Sequence, residues 1–302
     1  MLHLHLARVS RCCRDGPGDD SLSPHDSLDP LLELVDEKTR EDVRKYRFLG
    51  DARRCLLGRL LARYALSTRL KLPWTSFAFA KTPSGRPYAT HPSYSLTSTA
   101  FVDYNVSHDS DVVVAASRLS DTADGPVRVG VDVMRVVNPW EGCSVAEFVE
   151  GIGEQLAPAE RSTLAARSSS VDQLRHALAL WTLKEAYSKA TGEGLHLDLR
   201  RLDFQLKLPP PYFGSLPSTA FTSPVELGQA RLDSAPLRGW RFWLTELRLD
   251  GDGRRELYWL AVALQDAMAE GRIELQQEVP EWVSEVGMDE ILRAAESGVQ
   301  GG

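Results

Sequence analysis

Residues 170–195, SVDQLRHALALWTLKEAYSKATGEGL, constrain the fold more than any other stretch of this chain, because they predict one long helix. Ser170 and Gln173 have the spacing of a capping box, which sets the start at Ser170. Leu174, Ala177, Leu178, Trp181 and Ala190 recur at intervals of three and four and form an apolar stripe. Gly192 and Gly194 supply the permissive backbone that ends the helix. Trp181, Glu185 and Lys189 stand four apart and climb one face together. Two readings compete for that face. The plain one is a solvated Glu–Lys pair contributing about 0.2–0.5 kcal/mol on an ordinary surface helix. The other is a carboxylate and an ammonium retained beside a core-type Trp because they do chemistry.

A chain of 302 residues makes one large domain or two of about 150 each. Its 43% hydrophobic and 25% charged residues match a soluble globular protein. A net charge of −7 argues against nucleic-acid binding, which calls for a basic excess or stripe. A phosphorylated ligand remains possible through a few locally placed cations. The four cysteines (Cys12, Cys13, Cys55 and Cys143) have neither zinc spacing nor a secreted framework, so reduced thiols in the cytoplasm are expected. No apolar run approaches the roughly 18 residues needed to span a membrane. The opening MLHLHLARV alternates like a strand and lacks the apolar core of a signal peptide.

Residues 11–30 are rich in Asp, Ser, Pro and Gly and predict a long loop. His3, His5 and His25 are too poorly spaced to predict a metal site. A helix is expected from Leu31 and another over Asp51–Leu66, with Leu56, Leu57, Leu60, Leu61 and Tyr64 inward and Arg53, Arg54, Arg59 and Arg63 outward. The turn KTPSGRPYAT, 81–90, presents Arg86 from an extended backbone set by Pro87. Tyr104–His108 and Val112–Ala116 predict two strands joined at Asp109-Ser110, and Val127–Val133 a third. On that third strand Arg128, Gly130, Asp132 and Met134 share one face. Asp is depleted in strands, so Asp132 either wets an edge or has a partner, and Gly130 lets a ligand or another backbone come close. Helical segments over Val145–Arg167 precede the long helix. Strands at Leu202–Leu206, Trp240–Leu249 and Leu257–Leu264 follow it, the last two joined by a hairpin turn at 250–253. Residues 208–237 predict an insertion or long loop, and the tail from Asp266 a charged amphipathic extension ending in disorder. The expected organisation is α+β, with an N-terminal half at 1–135, a C-terminal half at 136–265 and an extension at 266–302.

YNVSHDSD at 104–111, GVDVM at 130–134 and WTLKEAYSKATGEGL at 181–195 resemble, in order and spacing, the three signature motifs of the 4′-phosphopantetheinyl transferases. GRPY at 85–88 is similar to that family's upstream Gly-Lys/Arg-Pro element, and DARRCLLGRLLARY to its N-terminal helix. The likeness is to the two-halved, broad-specificity type and runs over about residues 40–210. It implies two pseudo-symmetric α+β halves with coenzyme A and the active site in the cleft between them. The implied reaction moves the phosphopantetheine arm of coenzyme A to a serine hydroxyl of an acyl or peptidyl carrier protein and releases 3′,5′-ADP. A pyrophosphate leaving group calls for a divalent cation on hard oxygens, here Mg²⁺. A serine hydroxyl calls for a base, and the phosphates for cations already in place.

By motif match Asp132 is the first Mg²⁺ ligand, and Glu185 is the second ligand, the base or both. Lys189 neutralises a coenzyme A phosphate. His108 resembles the 3′-phosphate contact, with Ser107 beside it. Arg86 and Arg53 resemble further phosphate contacts, although Arg54 is adjacent to Arg53, and Lys184 supports at most. Many members carry a Glu where this chain has Met134, and a thioether is a poor Mg²⁺ ligand. Asp109 is then the candidate for the missing oxygen. A monomer with no nucleic-acid or membrane partner is expected. Two alternatives stand beside this reading: a non-catalytic protein that binds coenzyme A or carrier domains, and a structural protein whose clusters are surface ion pairs.

Overall fold

The computed structural model describes residues 2–13, 26–90, 100–121, 127–208, 225–251, 254–276 and 282–297. His25, residues 14–25 of the expected first loop and the chain end from 298 lie outside them. The chain divides into two compact units, residues 1–126 with 281–302 and residues 127–280.

The first unit opens with β1 (Leu2–Arg8) and the short α1 (Val9–Cys12). The helix expected from Leu31 is two pieces, α2 (Asp29–Leu32) and α3 (Glu37–Arg44), and Asp36 caps α3 by accepting from Thr39 N at 3.0 Å. The long α4 (Leu49–Leu70) buries Leu56, Leu57, Leu60 and Leu61 completely. A small hairpin, β2 (Ala78–Lys81) with β3 (Pro87–Thr90), leads to the long antiparallel pair β4 (Ala100–Asp109) and β5 (Val112–Asp121). β5 lies between β4 and β1, antiparallel to both.

The second unit begins with β6 (Val129–Arg135), then α5 (Val145–Gly153), α6 (Pro158–Ala165) and the long α7 (Ser170–Thr191). Its sheet is completed by β7 (Leu202–Leu206), β8 (Val225–Leu232), β9 (Ala235–Pro236), β10 (Trp240–Gly251), β11 (Arg254–Gln265) and β12 (Arg272–Gln276). The order is β6-β11-β10-β12-β8-β7, with β9 on β8. The chain then returns to the first unit, where β13 (Val283–Glu285) pairs parallel to β1 and α8 (Met288–Ser297) buries Ile291 and Ala295 in the core under α4.

Each unit thus repeats one plan: a strand, a 22-residue helix, and a hairpin whose second strand docks antiparallel on the first. Antiparallel sheet packed by long helices is an α+β architecture. The boundary differs from the expected one. β6 belongs to the second unit because it pairs along β11 from Tyr258↔Arg135 to Leu264↔Val129. The expected extension at 266–302 is likewise divided, β12 entering the large sheet and β13 with α8 closing the first unit. Within the expected insertion at 208–237, β8 is an interior strand between β7 and β12. Residues 209–224 lie outside the described residues.

Two buried histidines make this packing acid-sensitive. His5 joins β1 to β13 through Ser284 Oγ at 2.8 Å, and burial, helped by the charges of His3 and Arg69 against that of Glu290, holds it down to about 4. His176 on α7 is held to about 4, first by burial, then by Arg167, with Asp172 opposing and Arg175 adding. Both rings fold neutral, whereas an unfolded His ionises near 6.5, so stability falls as pH drops from 6.5 towards 4. At pH 5 each ring should cost about 2 kcal/mol relative to pH 7. The melting temperature should fall over that interval, and less steeply in His176→Leu, which loses no hydrogen bond at Nδ1, unpartnered among the described residues. Equal slopes in the two proteins would remove His176 from this account.

Candidate active site

α7 starts at Ser170 as expected, but its cap is one residue earlier than expected: Ser169 Oγ accepts from Asp172 N at 3.1 Å. It ends at Gly192 in the left-handed conformation, φ 75°. From Arg175 to Ala190 every residue is buried except Trp181, Glu185 and Lys189. The line of three picked out by four-residue spacing is therefore the one open seam of a sheathed helix, and not the outer face of a surface helix.

β6 is an edge strand of its sheet and packs directly under α7. Gly130 makes this possible. A Cβ there would stand 2.0 Å from Ala186 O and 2.5 Å from Ala190 N, so the strand and helix backbones touch. Two residues on, and on the same face, Asp132 is 5% exposed and accepts from Lys189 Nζ at 2.7 Å. Burial pushes the Glu185 carboxyl up, the negative charge of Asp132 pushes it further, and Lys189 pulls it partly back. Asp132, Glu185 and Lys189 thus form one electrostatic cluster in the second unit. Met134, next on that face, is partly buried against the second unit's core.

Lys184 differs from its neighbours in the motif. It is fully buried and is tied to Glu160, whose carboxylate is 2.8 Å away. The structure makes it an internal strut.

The remaining candidates lie in the first unit. Alternation along β4 puts Tyr104, Val106 and His108 on one face and Asp103, Asn105 and Ser107 on the other. The His108 face lines a cavity of about 240 Å³ with Tyr46, Arg54, Cys55, Arg59 and Lys81. Four cationic or imidazole groups converge there, and Tyr104 contributes a buried hydroxyl without a hydrogen-bond partner among the described residues. α4 approaches β4 closely at Gly58, where a Cβ would meet Val106 Cγ1 at 3.1 Å.

Arg54 lines this cavity, donating to Asp51 Oδ1 at 2.6 Å and Ser110 O at 3.2 Å. Arg53 does not line it; its charge acts on Cys13. Ser107 is buried on the opposite face of β4. Arg86 leaves the β2–β3 turn, which is closed by Thr82 N to Arg86 O at 2.8 Å, and grips Asp103 bidentately, Nη1 to Oδ1 at 2.8 Å. Asp109, at the end of β4, accepts from Ser110 Oγ at 3.0 Å. Among the cavity's cations is Lys81, which opens the same Gly-Pro-rich turn as Arg86 but has no spacing signal in the sequence to mark it. Among the described residues no three His, Cys, Asp or Glu side chains gather as a metal site.

Comparison with known proteins fits this geometry. A family model described as the N-terminal part of 4′-phosphopantetheinyl transferase matches residues 23–120. One described as the 4′-phosphopantetheinyl transferase superfamily matches residues 128–238. The chain belongs to that family. It is 33% identical over 179 residues to the 4′-phosphopantetheinyl transferase pptA of Paxillus involutus, covering 58% of this chain and 66% of the relative. It is 30% identical over 175 residues to the L-aminoadipate-semialdehyde dehydrogenase-phosphopantetheinyl transferase of Mus musculus, covering 58% and 54%. With the 4′-phosphopantetheinyl transferase NpgA of Emericella nidulans it shares 28% identity over 273 residues, 74% of this chain and 78% of that one. The chain spans between about half and two thirds of the length of the first two relatives.

The Gly130 contact brings β6 and α7 together. Gly130→Ala should destabilise the protein by about 1–3 kcal/mol, because the added methyl meets backbone that has no room to yield. The urea midpoint reads this directly. A midpoint equal to the parent's would mean that α7 does not rest on β6 at this residue.

Proposed function

We propose that this protein transfers the phosphopantetheine arm of coenzyme A to a serine hydroxyl of an acyl or peptidyl carrier protein. The observation that carries the reading is the Asp132–Glu185–Lys189 cluster on the motif residues of a chain in this family. The serine oxygen bonds to the phosphorus that bears the pantetheine arm. The bond from that phosphorus to the departing oxygen breaks, 3′,5′-ADP leaves with the electron pair, and the hydroxyl proton goes to a base.

Glu185 suits the role of base. A carboxyl raised by burial and by a neighbouring carboxylate holds a proton more readily than one in water, which favours accepting it from serine. Asp132 and Glu185 also suit a hard divalent cation, which we take to be Mg²⁺. Two mutually repelling carboxylates offer hard oxygens and a surplus of negative charge. Such a cation, when bound, neutralises charge building on the phosphates. Phosphate oxygens and water complete a Mg²⁺ shell that has only one or two carboxylates, so Met134 is compatible with it. Lys189 supplies an ammonium that can turn from Asp132 to a phosphate. In the first unit, His108 with Arg54, Arg59 and Lys81 suits the phosphates of coenzyme A, and the unpartnered Tyr104 hydroxyl has a hydrogen bond to offer there. The free thiols suit a reducing compartment, the cytoplasm.

Mass spectrometry of several apo-carriers incubated with coenzyme A, Mg²⁺ and this protein tests the reaction; the gain of one phosphopantetheine is the expected result. Glu185→Gln should lower kcat by about 10²-fold or more with the fold intact. Near-normal turnover would remove Glu185 from the chemistry.

His108→Ala should weaken coenzyme A binding by about 1.5–3 kcal/mol, the worth of a hydrogen bond to a charged group. The loss should appear mainly in KM, because the 3′-phosphate is remote from the reacting phosphorus. Dephospho-coenzyme A, which lacks that phosphate, should be nearly indifferent to the substitution. Equal damage with both substrates would exclude this contact.

A further inference from the structure

We propose that Lys184, one position before Glu185 in the signature, is a positioning residue that fixes the roll of α7 and never touches substrate. The inference rests on the transferase reading above. Its basis is a closed count of hydrogen bonds. An ammonium has three N–H donors. Lys184 Nζ directs them to Glu160 Oε2 at 2.8 Å, Leu199 O at 2.8 Å and Leu202 O. Glu160 is equally committed: Oε1 accepts from Phe204 N at 2.8 Å, and Oε2 from Ala157 N at 2.8 Å as well as from Lys184. Both side chains have no exposed surface. No donor of Lys184 is left for a phosphate, and no path leads a phosphate to it.

What the pair does follows from helix geometry. Successive residues turn by about 100° around an α-helix. Lys184 therefore projects about 100° to one side of Glu185, and Ala186 about 100° to the other. Lys184 ties α7 to the N-terminus of α6 and to the turn before β7. Ala186 and Ala190 rest on Gly130 of β6. The Trp181–Glu185–Lys189 seam lies between these two anchors, and neither anchor alone stops the helix from rolling. Burying an ion pair is weak support for stability, since an apolar pair of similar volume often does as well. Directional bonds to two carbonyls and two backbone amides give something an apolar pair cannot, a single rotational setting.

The test separates positioning from contact and from plain stability. Lys184→Met leaves Glu160 as an unpaired buried carboxylate and is expected to lower the melting temperature. The double variant Lys184→Met with Glu160→Gln removes the stranded charge and is expected to recover most of that loss. In the double variant kcat should still be down by about 10–100-fold, since displacements near 1 Å at a reacting group carry penalties of that size. The KM for coenzyme A should stay within about twofold. Acylation of Lys189 by an amine-reactive ester, followed by peptide mass spectrometry, should be faster than in the parent because the Asp132 contact is loosened. This last readout decides the matter even if the parent transfers nothing to any carrier, a result that would sink the transferase reading and not this one. Recovery of kcat together with melting temperature, a large rise in KM with kcat unchanged, or unaltered Lys189 reactivity would each overturn the proposal.

Discussion

The second unit depends on one contact, the backbone of β6 against the backbone of α7 at Gly130. Any other residue at this position would hold the two elements apart by the depth of a side chain, since even a methyl would fall 2.0 Å from Ala186 O. The consequence is felt two residues along the strand. Asp132 and Lys189 can then meet at 2.7 Å, and Glu185 comes under the influence of both. A carboxylate on an edge strand would ordinarily look to water. Here the helix closes over it, and Asp132 retains 5% of its exposure. Glycine and aspartate in the same motif therefore serve one purpose: the first brings the helix close, and the second uses the closeness.

Local pattern carried much of this to the reader of the sequence. Strand alternation put Gly130, Asp132 and Met134 on one face, and four-residue spacing put Trp181, Glu185 and Lys189 on one line; the structure has both. The exact cap did not emerge, because Ser168, Ser169 and Ser170 are chemically interchangeable and only the backbone turn selects Ser169. The burial of Lys184 was beyond reach for a different reason. α7 is covered on nearly every side, so it has little amphipathic contrast to read. The partners of Lys184 also lie 24 residues upstream and 15 to 18 downstream. The same limit explains β8 and β12. A strand in a Pro- and Ser-rich region, or in a charged tail, shows itself only when its neighbours in the sheet are known. Which of Arg53 and Arg54 lines the cavity depends on which side of α4 faces β4, and spacing along one helix does not show that; Gly58, four residues after Arg54, is the residue that approaches Val106.

The two units build different charge clusters on one plan. Each lays a 22-residue helix on a first strand and a hairpin. In the first unit the charged groups gather where the helix passes the hairpin strand β4, and they are mostly cations: Arg54, Arg59 and Lys81, with His108. In the second they gather where the helix passes the first strand β6, and two of the three are carboxylates. Cations in a concavity suit phosphates, whereas paired carboxylates suit metal or proton transfer. A chain of net charge −7 can therefore still present a locally basic cavity, because Arg54, Arg59 and Lys81 converge there with His108.

The charge count of the second cluster is the last constraint. With both carboxylates ionised, one lysine leaves the group one negative charge in excess, and partial burial makes that excess costly. The structure shows where the cost falls. Lys189 neutralises Asp132 directly, and the Glu185 carboxyl is the one displaced upwards. The cluster is therefore one proton or one cation short of balance, and Glu185 is the group that registers the shortage. An aspartate and a glutamate of the same motifs are in this sense unequal by construction. The residue sealed under the helix keeps its partner, and the carboxyl on the open seam carries the upward shift.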